Sequence, residues 1–212
     1  MIRLFCGYDE REAVGFHVFV SSVIRRASEP VSFTPISEVQ TDGSNAFTYA
    51  RYKVAEMCGF QGWAIFADAC DMLCLADIAE LWDMQDERFA VQLVKNSYNT
   101  RNPIKYLGTT MQCPNVDYPR KNWSSLMLIN CAAPEWKLCE TGMKAHLFTG
   151  FPDERVGELP SQWNCLVDER QSSDGAKLLH WTAGIPGFDL YKTAERAADW
   201  HAEHDSMRKA HV

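Results

Sequence analysis

The feature that most restricts the fold is an alternation along the first two thirds of the chain. Short apolar runs with the make-up of buried strands occur at residues 2–6 (IRLFC), 31–36 (VSFTPI), 63–67 (WAIFA), 89–94 (FAVQLV) and 124–130 (SSLMLIN). Between several of them lie stretches with apolar residues at helical spacing. Residues 14–27 put Val14, Val18 and Phe19 on one face, residues 45–59 end at Gly59, and residues 77–84 begin at Asp77, which has the chemistry of an N-cap. Strand and helix in turn predict an α/β fold with a mostly parallel central sheet and flanking helices.

The 212 residues, 46% of them hydrophobic, are enough for a single well-cored domain. We expect that domain over 1–191, with 133–148 helix-like and 151–164 rich in loop residues. A polar helical tail over 192–212 completes the chain. The net charge of -7 argues against a nucleic-acid partner, which needs a basic face. No apolar run approaches the length of a membrane span. The eight cysteines form no CxxC pair, which speaks against a zinc knuckle and for thiols in a reducing compartment. A cytoplasmic location is the corresponding expectation.

The chemistry concentrates where the 63–67 strand ends. GWAIFADACDMLCLADIAELW delivers Asp68 and Asp71 to the end of an apolar strand. Two carboxylates three positions apart repel unless a cation or a set of donors lies between them. In open α/β sheets, ligands bind beyond the carboxyl ends of the strands, so Gly7, Tyr8 and Asp9 are expected beside the same crevice. The bland alternative is that these acids only cap turns.

The stretches FADACDMLCLADIAELW, KNWSSLMLINC, GELPSQWN and KLLHWTAGIPGF occur in the order seen in GT-A-fold glycosyltransferases similar to family 8, over about residues 2–191. The resemblance implies a GT-A-like fold and a metal-dependent transfer of a hexose from a nucleotide diphosphate sugar, a UDP-sugar by default, to an unknown acceptor with retention of configuration. It implies that Asp68 and Asp71 stand for the DxD pair, with one residue more between them than usual. His180 stands for the third ligand, and the set suits Mn²⁺ or Mg²⁺. FTYARY implies Tyr49 and Arg51 near the nucleotide, FCGYDEREA implies Gly7, Tyr8 and Asp9 at the donor, and NWSSLMLIN implies Asn122, Ser124 and Ser125 near the sugar. The family's acidic pair near the anomeric carbon falls at Asp153 and Glu154.

HWTAGIPGF supplies His180 and Gly184 but lacks the lysine that contacts the diphosphate in the family. Arg51, Lys177, Arg120 and Lys121 are the candidates to replace it. Rival readings are a sugar-1-phosphate nucleotidyltransferase and a nucleotide-sugar binding module without catalysis. His201 and His204 are read as a solvated face, and Trp123 and Trp163 as core aromatics.

Overall fold

The computed structural model describes residues 1–38, 45–139, 147–148, 150–169 and 172–209. Strands β1 (Ile2–Gly7), β2 (Val31–Ile36) and β3 (Trp63–Ala67) are the three apolar runs expected at the start of the chain. β1 pairs parallel with both others, and helix α1 (Ala13–Ile24) makes the crossover from β1 to β2. Val18 and Phe19 of the expected face are buried, as is Val23 one turn on, whereas Val14 of that face is exposed in the first turn of the helix.

Residues 45–59 are less regular than their periodicity predicts. A 3₁₀ turn, Ala50–Lys53, runs into a one-turn helix α2 (Val54–Met57). The stop at Gly59 holds: Gly59 has φ of +62°, and Phe60 N–H closes back on Ala55 O at 2.8 Å. Asp77 caps α3 (Ile78–Trp82) by accepting from Ala79 N at 2.9 Å. The helix-like reading of 133–148 gives a 3₁₀ turn at Pro134–Leu138, and residues 140–146 of that stretch lie outside the described residues.

Between β3 and α3 lies strand β4 (Met72–Cys74). Then come β5 (Val91–Leu93), the hairpin β6 (Ile104–Lys105) and β7 (Cys113–Pro114), β8 (Leu126–Asn130) and β9 (Val156–Glu158). The main sheet has the order β2-β1-β3-β8-β5-β9. β8 alone runs against its neighbours β3 and β5, so the sheet is mixed but mostly parallel. Strands β10 (Cys165–Leu166) and β11 (Leu178–His180) complete a second, three-stranded sheet with β4.

The last helix, α4 (Ala197–Lys209), is polar overall, yet it has a buried side. Trp200 packs in a cluster with Val18, Leu73 and Trp181. The buried carboxylate of Glu203 receives Ser21 Oγ at 3.0 Å, Arg25 Nη1 at 3.2 Å and Arg26 Nη1 at 3.0 Å, all from the end of α1. A carboxylate can be buried at such a place because its charge is met on both oxygens. His204 stacks on Trp200 with centroids 5.2 Å apart, and His201 Nε2 lies 3.0 Å from Lys192 O.

One close approach sets the site. A Cβ on Gly15 would stand 1.9 Å from the backbone oxygen of Cys70. Only glycine lets α1 lie directly on the turn that carries Asp68 and Asp71.

Candidate active site

The turn after β3 answers the spacing problem. Residues Ala69–Asp71 form a 3₁₀ helix, and Asp71 N–H donates to Asp68 O at 3.2 Å. A 3₁₀ helix has three residues per turn, so side chains at i and i+3 eclipse. Two residues between the acids therefore still leave both carboxylates on one side. Cys70 faces the other way, its thiol 3.5 Å from Gly7 O and accepting Asp9 N–H at 3.4 Å.

His180 reaches the acids through the second sheet. β11 pairs antiparallel with β4, setting His180 opposite Met72, and Trp181 N–H donates to Asp71 O at 2.9 Å. Ligand atoms of Asp68, Asp71 and His180 all lie within 4.8 Å of one another, and all three residues are buried. His180 Nε2 is 3.3 Å from Asp71 Oδ1, and Asp68 Oδ1 is 2.9 Å from Arg51 Nη1. Neither of these carboxyl oxygens has a well-directed hydrogen bond among the described residues. Buried acceptors left in this state at the mouth of a polar cavity fit a cation, and two carboxylates with one imidazole form a hard-leaning donor set.

The tautomer of His180 is set by its neighbours. Asn164 Nδ2 donates to Ser125 Oγ at 2.8 Å and to Asn122 O at 3.2 Å, which turns Asn164 Oδ1 toward the imidazole. His180 Nδ1 lies 2.9 Å from that oxygen and must donate to it. In the neutral ring the lone pair is then on Nε2, facing the acids. The loop after His180 is clasped by Asp168, which accepts from Thr182 N at 3.3 Å and Ala183 N at 2.7 Å.

Charge is unevenly balanced here. Burial pushes the Asp68 carboxyl up to about 6 against the pull of Arg51, with Asp71 pushing the same way. For His180 burial works against the imidazolium, but Asp71 and Asp68 outweigh it and raise the pKa. Glu12 is fully buried, neither carboxyl oxygen has a partner among the described residues, and burial together with Asp71 and Asp9 holds its pKa well above the usual range.

A cavity of about 70 Å³ opens on this cluster, and Arg51, Asn122, Ser124, Lys105 and Tyr118 share its lining with Asp68, Asp71 and His180. Of the donor-site expectations, Arg51, Asn122 and Ser124 thus line the cavity beside Asp68, Asp71 and His180. Arg51 is buried, donates to Ser124 O at 3.0 Å and Thr48 O at 3.0 Å, and lies 5.0 Å over Phe66. Asn122 holds a left-handed φ of 59° and donates to Tyr98 OH at 2.6 Å.

Ser125 stands behind the cavity, donating to Asn122 O at 2.7 Å and supporting Asn164. Gly7, Tyr8, Asp9, Tyr49 and Gly184 are outside the lining. A Cβ at Gly7 would strike Phe47 at 2.4 Å. Asp9 is a loop clamp: it accepts from Arg11 N at 3.0 Å, Arg11 Nη2 at 2.6 Å and Ala46 N at 2.9 Å. Burial opposes its ionisation, and those hydrogen bonds outweigh it and lower the pKa. Gly184 sits at φ +155° with Tyr191 2.8 Å from where a Cβ would be. Asp153 and Glu154 lie on a 3₁₀ turn away from the lining, with Asp153 bound to Arg120 at 2.5 Å. Trp163 is fully buried in the core.

Asn164, Glu12 and Lys105 have no role that is legible in the sequence. The signal for Asn164 was an amide inside the apolar QWNCL run, because a buried amide must find partners. No comparable signal marked the other two.

No protein-family model matches the chain. Across 98% of its length, however, it is 36% identical to protein CDI of Arabidopsis thaliana, covering 87% of that protein. The chain belongs to the family of protein CDI. The fold of that family, seen through this member, is shared with GT-A glycosyltransferases. Similar solved structures are the bifunctional glycosyltransferase WbbM (TM-score 0.66, 14% identity, 96% of this chain and 49% of that one) and GlyE of Streptococcus pneumoniae TIGR4 (0.63, 12%, 96% and 61%). A third is the galactosyltransferase LgtC with donor and acceptor sugar analogues (0.63, 13%, 97% and 96%). This member of the CDI family therefore spans about half of WbbM and nearly all of LgtC. Among its described residues no helix is long and apolar enough to cross a membrane.

Proposed function

We propose that this chain is a metal-dependent glycosyltransferase that moves a hexose from a nucleotide diphosphate sugar, by preference a UDP-sugar, to an acceptor hydroxyl. The observation that carries the reading is the convergence of Asp68, Asp71 and His180 within 4.8 Å, at the carboxyl end of β3 in a GT-A-type sheet. Mn²⁺ or Mg²⁺ held by these three residues would neutralise charge on the leaving diphosphate.

The chain's own groups have definable tasks. Asn164 orients the imidazole, and Arg51 offsets the charge of Asp68 while fixing it against Ser124. Asn122 and Ser124 offer polar groups to the sugar side of the cavity. As the anomeric carbon–oxygen bond breaks, its electron pair leaves with the diphosphate. The acceptor oxygen bonds to that carbon, and its proton passes to the departing phosphate. Retention of configuration rests on the family resemblance.

The test is a panel of nucleotide sugars incubated with the protein in Mn²⁺, with release of nucleoside diphosphate as the readout. Slow hydrolysis of one donor, abolished by chelation, is the expected result. Donor binding without turnover would return the binding-module reading. Formation of a nucleotide sugar from a sugar 1-phosphate and a nucleoside triphosphate would make the protein a nucleotidyltransferase.

A further inference from the structure

The diphosphate of the proposed donor needs a cation besides the metal, and the C-terminal motif that carries one in the resembling family has none here. Each of the four side chains put forward from sequence is engaged elsewhere. Arg51 is paired with Asp68 at 2.9 Å. Lys177 is paired with Glu80 on the surface, and Arg120 binds Asp153 and Leu147 O, the latter at 2.9 Å. Lys121 donates to Thr100 Oγ1 at 2.7 Å, Asn115 Oδ1 at 2.7 Å and Val116 O at 3.0 Å.

Among the described residues, two cationic side chains other than His180 line this cavity, Arg51 and Lys105. Among the described residues Lys105 has no ion pair; its ammonium lies 5.9 Å from the ring of Tyr106. It ends β6, and the residues after it are fastened to the loop that succeeds His180. Tyr106 N–H donates to Ala183 O at 2.6 Å, and Leu107 N–H donates to Tyr191 OH at 2.8 Å. Tyr106 is fully buried and holds a left-handed φ of 54°. Such a backbone is unfavourable for a non-glycine residue and persists only where surrounding contacts impose it. The β6 end is therefore built into place beside residues 183–184, the neighbourhood in which the motif lysine is missing.

We propose that Lys105 is the donor-binding cation of this site, contacting the diphosphate of the nucleotide sugar from a different chain segment than the absent motif lysine. This rests on the glycosyltransferase reading above. An ammonium on a flexible stem suits a leaving group whose charge grows during reaction, because it can track the oxygen as the bond lengthens. In the metal-free protein the same ammonium faces the acids, where it helps to hold down the Asp68 carboxyl.

The test is calorimetric titration of wild type, Lys105→Ala and Lys105→Arg with uridine, UDP and Mn²⁺, with guanosine and GDP taking the place of uridine and UDP if the wild type binds GDP instead. For Lys105→Ala the dissociation constant of UDP in saturating Mn²⁺ should rise roughly ten- to a hundredfold, that of uridine should not move, and Mn²⁺ without nucleotide should bind more tightly because a nearby like charge is gone. Lys105→Arg should stay within a few-fold of wild type for UDP. Opposite signs for metal and for UDP are something a packing defect would not produce. Lys105→Gln, which keeps most of the stem, replaces the alanine variant if the latter melts early. Unchanged UDP affinity in the alanine or glutamine variant would overturn the assignment of Lys105. Failure of the wild type to bind UDP or GDP in Mn²⁺ would instead sink the glycosyltransferase reading, and the role of Lys105 with it.

Discussion

Asn164 Oδ1 accepts the Nδ1 proton of His180 at 2.9 Å, and the amide is held in that sense by Ser125 Oγ and Asn122 O. The pair joins the GELPSQWN and KLLHW segments into one device that aims Nε2 at the acids.

Removing the amide should therefore loosen the metal without touching a ligand. Asn164→Ala should raise the Mn²⁺ concentration needed for donor binding by roughly ten- to a hundredfold. It should also cost about 1–3 kcal/mol of stability by leaving the buried His180 Nδ1–H without an acceptor and taking a donor from Ser125 Oγ. Metal titration and thermal melting on the one variant check both. An unchanged Mn²⁺ requirement would show that the imidazole does not depend on this hydrogen bond.

The two acids should respond differently to neutralisation. Asp71→Asn removes one of two repelling carboxylates, so the metal-free protein should hold or gain stability while metal binding is lost. Asp68→Asn strands the buried guanidinium of Arg51, and breaking a buried pair costs about 3–5 kcal/mol. Chemical denaturation in chelator should separate the two variants, and equal stabilities would show that Arg51 does not need Asp68.

Stability against pH has an unusual sign at this cluster. Asp68 and Glu12 have folded pKa values above their ordinary ones, and so has His180. A raised pKa means the folded state binds the extra proton, so the contribution is full below the unfolded pKa and is lost as pH rises through the folded one. For Asp68 that window runs from 3.8 to about 6; for Glu12 it starts at 4.5 and for His180 at 6.5. Glu12→Gln, which abolishes one of these charges, should stabilise the metal-free protein by more than about 1 kcal/mol at pH 8 and hardly at all at pH 4, below the start of its window. Melting curves of both proteins at the two pH values test this, and a pH-independent difference would exclude a buried, proton-holding Glu12. Mn²⁺ affinity should rise with pH over the same range, because the metal competes with protons for Asp68 and His180.

Much of the architecture is legible locally. The runs at residues 2–6, 31–36 and 63–67, the stop at Gly59 and the cap at Asp77 depend on burial period and backbone chemistry, which neighbouring residues dictate. The pair Asp68 and Asp71 shows itself because a strand carries two acids to its end. What the chain alone did not decide is which side chains meet. Residues 45–59 have helical spacing, yet the stretch breaks into a 3₁₀ turn and a single α-turn. Asp9 is a donor-site candidate by resemblance, but its contacts to Arg11 and Ala46 come only from the fold.

His180 was placed at the site by family resemblance, but its distance to Asp71 comes from the β4–β11 register. Lys105 has no mark of function in its own segment, and Asn164 shows in its own only as an amide in an apolar run. They acquire that mark from the Tyr106–Ala183 hydrogen bond and from the β10–β11 pairing, contacts between segments far apart in the chain. Periodicity is a property of a dozen consecutive residues, whereas a binding site is a set of distances between strands, and only the packed sheets determine those.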